Sequence, residues 1–326
     1  MSAGHLSTIL VVSLSGSETD VFKPSGTYPL SGLSDKEIDG RKIALSDLIV
    51  QTLRAHPVLS YFQGYHDIVQ VFLLVLGKEL ATAAVARVSL LRIRDYMLPS
   101  LSPSLRHLQI IPALLESVDR ILWQRLSTTQ PFFALAATLT LYAHDIQEYS
   151  DIARLYDFLL AHEPVMAIYL FTAIIISRRK ELLEIPPDEP EMLHFTLSKL
   201  PHPLDLESLI SHSMQLFRVH PPESLPRLTW WKISSHSVLK SLRDVRRQQT
   251  VEAGEELFTK QLAELRREEV RKEVIKAFWK HRRKAMPVVL ALMTGIFSLW
   301  LARNGHEKDV WLYVKKATGI FGLLAR

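Results

Sequence analysis

Tyr61-Phe62-Gln63-Gly64-Tyr65-His66-Asp67-Ile68-Val69-Gln70-Val71-Phe72-Leu73-Leu74-Val75-Leu76-Gly77 is the stretch from which the fold is read. From Ile68 to Leu76 every position but Gln70 is apolar, and the run closes on Gly77. It therefore predicts a buried helix that opens near His66 and ends at a glycine C-cap.

Working outward, Leu45, Leu48, Ile49 and Thr52 fall at i, i+3, i+4 and i+7, one stripe of a helix that begins after Gly40 and is stopped by Pro57. Downstream, helical stretches are expected at about 79–97, 104–126, 131–144, 150–161, 164–182 and 190–199, separated by Pro-, Ser- or Asp-containing breaks. Clean strand alternation is missing, so the fold class is all-α. Residues 1–39 are rich in Ser, Gly, Thr and Pro and read as an irregular N-terminal segment. The compact helical domain is expected to cover 40–220, because Pro201, Pro203, Pro221, Pro222 and Pro226 then loosen the pattern. Residues 221–284 read as a linker followed by a charged helix, in which Glu256/Lys260 and Glu268/Lys272 stand in the favourable i, i+4 order.

The chain has 326 residues, 48% of them hydrophobic, which suffices for a large core. The absence of cysteine excludes disulfides, thiolate catalysis and thiolate zinc sites, and fits a reducing compartment. Leu6 to Leu14 is interrupted by Ser7, Thr8 and Ser13 and has no basic flank before it, so it does not read as a signal peptide. A net charge of +5 would suit a nucleic-acid binder, but the basic residues gather late in the chain, beside a different feature.

That feature is Ala285 to Ala302, 18 residues without an ionisable side chain. As a helix it measures about 27 Å against a bilayer core of about 30 Å. Its N-terminal flank, His281-Arg282-Arg283-Lys284, predicts a transmembrane helix with the preceding domain on the cytosolic side. Residues 303–326 form a short tail in which Trp311, Lys315 and Lys316 suit the opposite interface. The lipid bilayer is thus an expected partner and nucleic acid is not.

Tyr61-Phe62-Gln63-Gly64 and the acidic Asp67 that follows closely resemble the Y-x-Q-G motif of the TBC family of Rab GTPase activators. The likeness continues through Leu90-Leu91-Arg92-Ile93-Arg94-Asp95-Tyr96-Met97 and Leu155-Tyr156-Asp157-Phe158-Leu159-Leu160, covering about 40–220. With the apolar run, it is most like a membrane-anchored branch of that family associated with the endoplasmic reticulum and early secretory traffic. Resemblance implies an all-helical domain whose partner is a GTP-bound Rab-type GTPase. Hydrolysis of GTP requires a water held in line and positive charge on the phosphoryl oxygens, either of which a partner can supply in trans. A glutamine amide both accepts and donates, so Gln63 suits the first task, and Gly64 permits close backbone approach. Taken without the resemblance, Gln63 is a polar residue at a helix start, and Asp67 equally complements the helix dipole.

The family's other catalytic motif, I-x-x-D-x-x-R, aligns best with Ser17, Asp20 and Lys23, followed by Tyr28-Pro29. Lys23 keeps a charge but lacks the planar fork of arginine, and Pro24 biases it away from helical geometry. The resemblance therefore implies weakened catalysis, and leaves open a TBC-like protein that binds a Rab, or scaffolds at a membrane, without accelerating hydrolysis. Helices that normally precede this motif have no counterpart in residues 1–16, which reads as an N-terminally incomplete or misassembled chain.

No cofactor is expected. His56, His66, His144 and His162 lack ligand spacing, so no metal site is assigned, and Asp145 and Glu148 read as polar residues at helix ends. Without G-x-x-x-x-G-K-S/T the chain is not itself a P-loop GTPase.

Overall fold

The computed structural model describes residues 34–243 and 249–303. All regular structure among them is helical. Helix α1 (Asp35–Ala55) starts ahead of Gly40, because the Ser34 amide donates to the Glu37 carboxylate at 2.8 Å and caps the first turn. Its expected stripe is buried: Leu45, Leu48, Ile49 and Thr52 all face the core. His56 ends the helix and its Nδ1 lies 2.6 Å from the Glu255 carboxylate.

Helix α2 (Tyr65–Leu91) is interrupted at Gly77, whose φ of 71° and ψ of 168° leave helical space. The consequence is a hairpin. A straight 27-residue rod would separate its ends by about 40 Å, yet the Tyr65 and Ser89 hydroxyls are hydrogen-bonded at 2.6 Å across the bend. Among the described residues this helix is long and apolar enough to cross a bilayer. Its interruption and its buried Ile68, Val69, Val71 and Phe72 make it core instead.

The stretch expected at 104–126 divides into α3 (Ser102–Leu108), α4 (Ile110–Val118) and α5 (Arg120–Leu126). Asp119 makes the second break by accepting from Leu122 N at 3.0 Å as an N-cap. A 3-10 turn at Pro131–Ala134 leads into the short α6 (Leu135–Leu139). Then come α7 (Tyr149–Ala161), α8 (Met166–Ser177), α9 (Arg179–Glu184), α10 (Pro190–Leu197) and α11 (Leu206–Val219). Helix α8 is apolar all round and buried from Met166 to Ile175, so it is the centre of the core, packed chiefly on α11.

The compact unit continues past 220, to Leu262, which corrects the expected domain end. Its prolines sit in successive 3-10 turns, Pro222–Ser224 and Pro226–Leu228, that turn the chain without leaving the core. Trp230, Ile233, Val238, Leu239 and Leu242 are buried beyond them, the last ones in and after α12 (Val238–Ser241). Asp95 fastens this segment: it accepts from Ser237 Oγ at 2.5 Å and Val238 N at 3.2 Å, and lies 3.0 Å from His107 Nε2. Burial opposes its charge, but His107, Arg94 and Ser237 outweigh that and hold the carboxyl below its usual range. Arg94 donates to Leu90 O at 3.1 Å, to His236 O, and to Ser241 Oγ at 2.6 Å.

Helix α13 (Val251–Arg303) opens inside this unit. Phe258 is fully buried there, and Gly254 passes so close that a Cβ would stand 3.0 Å from Leu90 Cβ. The expected pair Glu256/Lys260 forms at 2.7 Å. A second unit begins at Ala263. Its helix exposes Val270, Val274, Phe278, Leu292, Met293, Ile296, Phe297, Leu299 and Trp300.

Candidate functional site

The residues Tyr61 to Asp67 form a turn whose shape is set by what lies on either side of Gln63. Phe62 is buried, with its ring 5.7 Å from that of Tyr65 and 6.3 Å from that of Tyr96. Tyr65 is fully buried in turn. Between these anchors Gln63 is exposed and makes no hydrogen bond to any described residue.

Gly64 sets the turn at φ 97°, ψ −8° and is the residue that caps α2. An added Cβ would stand 2.6 Å from Thr140 Cγ2. Glycine is therefore demanded twice, by backbone sign and by contact.

Thr140 begins a second irregular element. Leu141 (φ 50°) and Tyr142 (φ 67°) are consecutive non-glycine residues in left-handed conformation, each costing on the order of 1–3 kcal/mol unless its surroundings hold it there. They do so here. Tyr142 Oη donates to Ala167 O at 2.6 Å, Tyr142 N to Ala137 O at 2.7 Å, and Tyr156 Oη to Thr140 O at 3.3 Å.

This turn delivers His144 to the glutamine turn, with its Nδ1 3.2 Å from Asp67 Oδ2. The bond to Asp67 raises the pKa of His144 above the ordinary imidazole value, against partial burial. Asp145 follows, its carboxyl raised by burial and only partly offset by His144, and its Oδ2 is buried without a hydrogen bond to any described residue. On the other side, Tyr61 Oη lies 3.0 Å from His66 Nδ1. Burial, with the nearby charge of Asp67, pushes the Tyr61 phenol up to about 12. The other ring nitrogen of His66, Nε2, faces Asp67 Oδ1, 3.5 Å away. Asp67 is thus held from two sides.

The structure accordingly brings together Tyr61, Gln63, Gly64 and Asp67. Lys23, Asp20, Ser17 and the Tyr28-Pro29 pair lie outside the described residues. The sequence gives His144 no ligand role and reads Asp145 only as a polar residue at a helix end. Nothing in their spacing announces them, because a left-handed turn places His144 beside Asp67, 77 positions earlier in the chain. Arg92 supplies the remaining link: it donates to Leu159 O at 3.1 Å, Leu160 O and His162 O, so the 90–97 segment caps the C-terminus of the helix carrying 155–160. Burial lowers its guanidinium pKa to about 10.

TBC1 domain family member 20 of Bos taurus is 35% identical over 210 residues, covering 64% of this chain and 52% of that protein. The mouse protein of the same name gives the same figures. GTPase-activating protein gyp10 of Schizosaccharomyces pombe is 32% identical over 228 residues, covering 69% of this chain and 61% of that protein. The chain spans about half the length of the first of these relatives. Residues 27–183, which contain the glutamine turn and its Thr140–Asp145 neighbour, match the Rab-GTPase-TBC domain, and this part of the chain is a domain of that family.

Proposed function

We propose that this chain is a GTPase-activating protein for a Rab-type small GTPase in its GTP-bound form, and that Gln63 enters the partner's nucleotide site in trans. The observation that carries this reading is the exposed, unengaged Gln63 on a turn fixed by Gly64 against Thr140. Its carboxamide would accept from the attacking water and donate to a phosphoryl oxygen or the partner's backbone. Asp67, held by His66 and His144, positions the first turn behind it. The name of one relative, GTPase-activating protein gyp10, supports the same activity.

Lys23 is proposed as the cationic partner of Gln63, with Asp20 supporting it. An arginine finger is worth about a thousandfold to a hundred-thousandfold in rate, and a point charge without its fork supplies less. Single-turnover GTP hydrolysis on a panel of Rab GTPases tests both residues. Acceleration that rises in Lys23→Arg and disappears in Gln63→Ala is expected. Lys23 followed by Pro24 favours a second reading, Rab binding without turnover. It would replace the first if the chain and its Lys23→Arg variant both bound a GTP-loaded Rab and neither accelerated hydrolysis.

Ala285 to Ala302 is proposed as a bilayer anchor that holds the helical domain on the cytosolic face of the endoplasmic reticulum or early Golgi. Support comes from its uncharged length, its basic flank and the exposed Leu292, Ile296, Phe297 and Leu299. Retention in the membrane fraction after alkaline extraction, with residues before Ala285 open to protease added outside the vesicles, is the expected result. Release by alkali would refute the anchor.

A further inference from the structure

Residues 266–284 of helix α13 are dominated by Lys, Arg and Glu, yet Val270, Val274 and Phe278 stand among them at four-residue steps. These three side chains are 64%, 62% and 66% exposed. About four turns further on, Leu292, Ile296 and Leu299 follow at steps of four and three, and they too are exposed. At about 100° per residue, all six fall within about a quarter of the helix circumference. Helix α13 runs without a break over Val251–Arg303, so they form one apolar stripe on a single face.

With Ala285 to Ala302 as the bilayer anchor, the stripe has two surroundings. Inside the bilayer, lipid tails cover Leu292, Ile296 and Leu299 as well as protein would, because tails are as apolar as leucine. Val270, Val274 and Phe278 come before the span. With the helix near the bilayer normal, Phe278 stands about 10 Å and Val270 about 22 Å ahead of Ala285, beyond a headgroup layer of about 5–7 Å. They face water, so covering them is favoured by the area withdrawn from it. A cover for the whole stripe has to run beside the helix through water and bilayer alike. A second α13 does so, and with its N-terminal flank on the same side of the membrane it lies parallel and presents the same stripe.

We propose that the chain pairs through this stripe with a second copy of itself, the two α13 helices lying parallel about a twofold axis. The pairing rests on the reading of Ala285 to Ala302 as the anchor and stands apart from the proposed use of Gln63. Both copies use the same patch, so a residue at the centre of the stripe meets its own counterpart. Lys272 and Lys276, on the opposite face of the helix, stay exposed to solvent.

The chain has no cysteine, so one introduced thiol reports on one position. Val274→Cys, on the stripe, and Lys276→Cys, on the opposite face, are made in the full chain, which is held dilute in phosphatidylcholine liposomes and oxidised. A disulfide needs Cα atoms within about 7 Å, so linked dimer should form several times faster in Val274→Cys than in Lys276→Cys. Adding Val270→Glu sets like charge against like across the stripe and should slow the Val274→Cys reaction by at least about tenfold. The melting temperature should not move, because Val270 is exposed. Equal reaction at the two positions, none at either, or indifference to Val270→Glu would overturn the pairing. Alkaline extraction of the same liposomes tests the anchor separately. Chain that is retained without stripe-selective dimer overturns the pairing alone, and chain that alkali releases while Val274→Cys still links upholds the pairing and refutes the anchor.

Discussion

His144 Nδ1 stands 3.2 Å from Asp67 Oδ2, joining the left-handed turn after α6 to the first turn of the helix that follows Gln63. The bond raises the His144 pKa above 6.5. Its stabilising contribution is therefore complete below the ordinary imidazole pKa and is lost as pH rises through the higher folded value. Half of the His144 side chain is exposed, so solvent screening limits the effect to no more than about 1 kcal/mol. Thermal melting of the natural chain and of His144→Gln between about pH 5.5 and about pH 8.5 should diverge at the acid end and converge at the alkaline end. Divergence of the opposite sign would mean that the pair does not carry the charge assigned to it.

Gln63→Ala should remove most of any stimulation of GTP hydrolysis, by at least about a hundredfold, the usual loss for one preorganised group at a reacting centre. Because the side chain is exposed and makes no hydrogen bond to a described residue, the melting temperature should not move. Single-turnover hydrolysis and thermal melting on the same preparation separate the two effects.

Gly64→Ala acts on stability as well as on activity. Its φ of 97° is strained for any L side chain, and the added Cβ would stand 2.6 Å from Thr140 Cγ2. Together these should cost about 1–3 kcal/mol, measured by denaturant unfolding. Placing Gly64→Ala in a Thr140→Ser background removes the methyl and should restore only the part due to contact. Full restoration would show that the backbone sign is not limiting.

Asp95→Asn should be more damaging than either. It replaces a buried carboxylate that serves Ser237, Val238 and His107, and breaking one side of such a network costs about 3–5 kcal/mol. The carboxyl is held below its usual range, so its contribution is present above the ordinary carboxylate pKa and lost as pH falls through the folded value. The variant should therefore unfold at lower denaturant at neutral pH while losing less stability than the natural chain on acidification.

How much was legible beforehand follows from the kind of signal each part carries. The stripe of α1, the glycine stop at Gly77 and the helical class were visible because burial on a helix repeats along the chain every three to four residues. Residues 225–243 escaped, since Trp230, Ile233 and Leu239 are buried from 3-10 turns and one four-residue helix that have no sustained period, and the prolines that shape those turns read as a linker. At the site, Tyr61, Gln63, Gly64 and Asp67 are contiguous and could be recognised as one motif. His144 and Asp145 are ordinary polar residues until Leu141 and Tyr142 reverse the chain.

By itself the sequence determined an all-helical domain with a Y-x-Q-G motif like that of the TBC family, because short-range pattern and motif are properties of neighbours in the chain. Only the tertiary structure decided that Gly64 is required by Thr140, that Asp67 is held by His144, and that Asp95 ties 237–238 into the core. Each of those contacts joins residues more than 70 positions apart, and no local period can encode a distance that exists only once the core has closed.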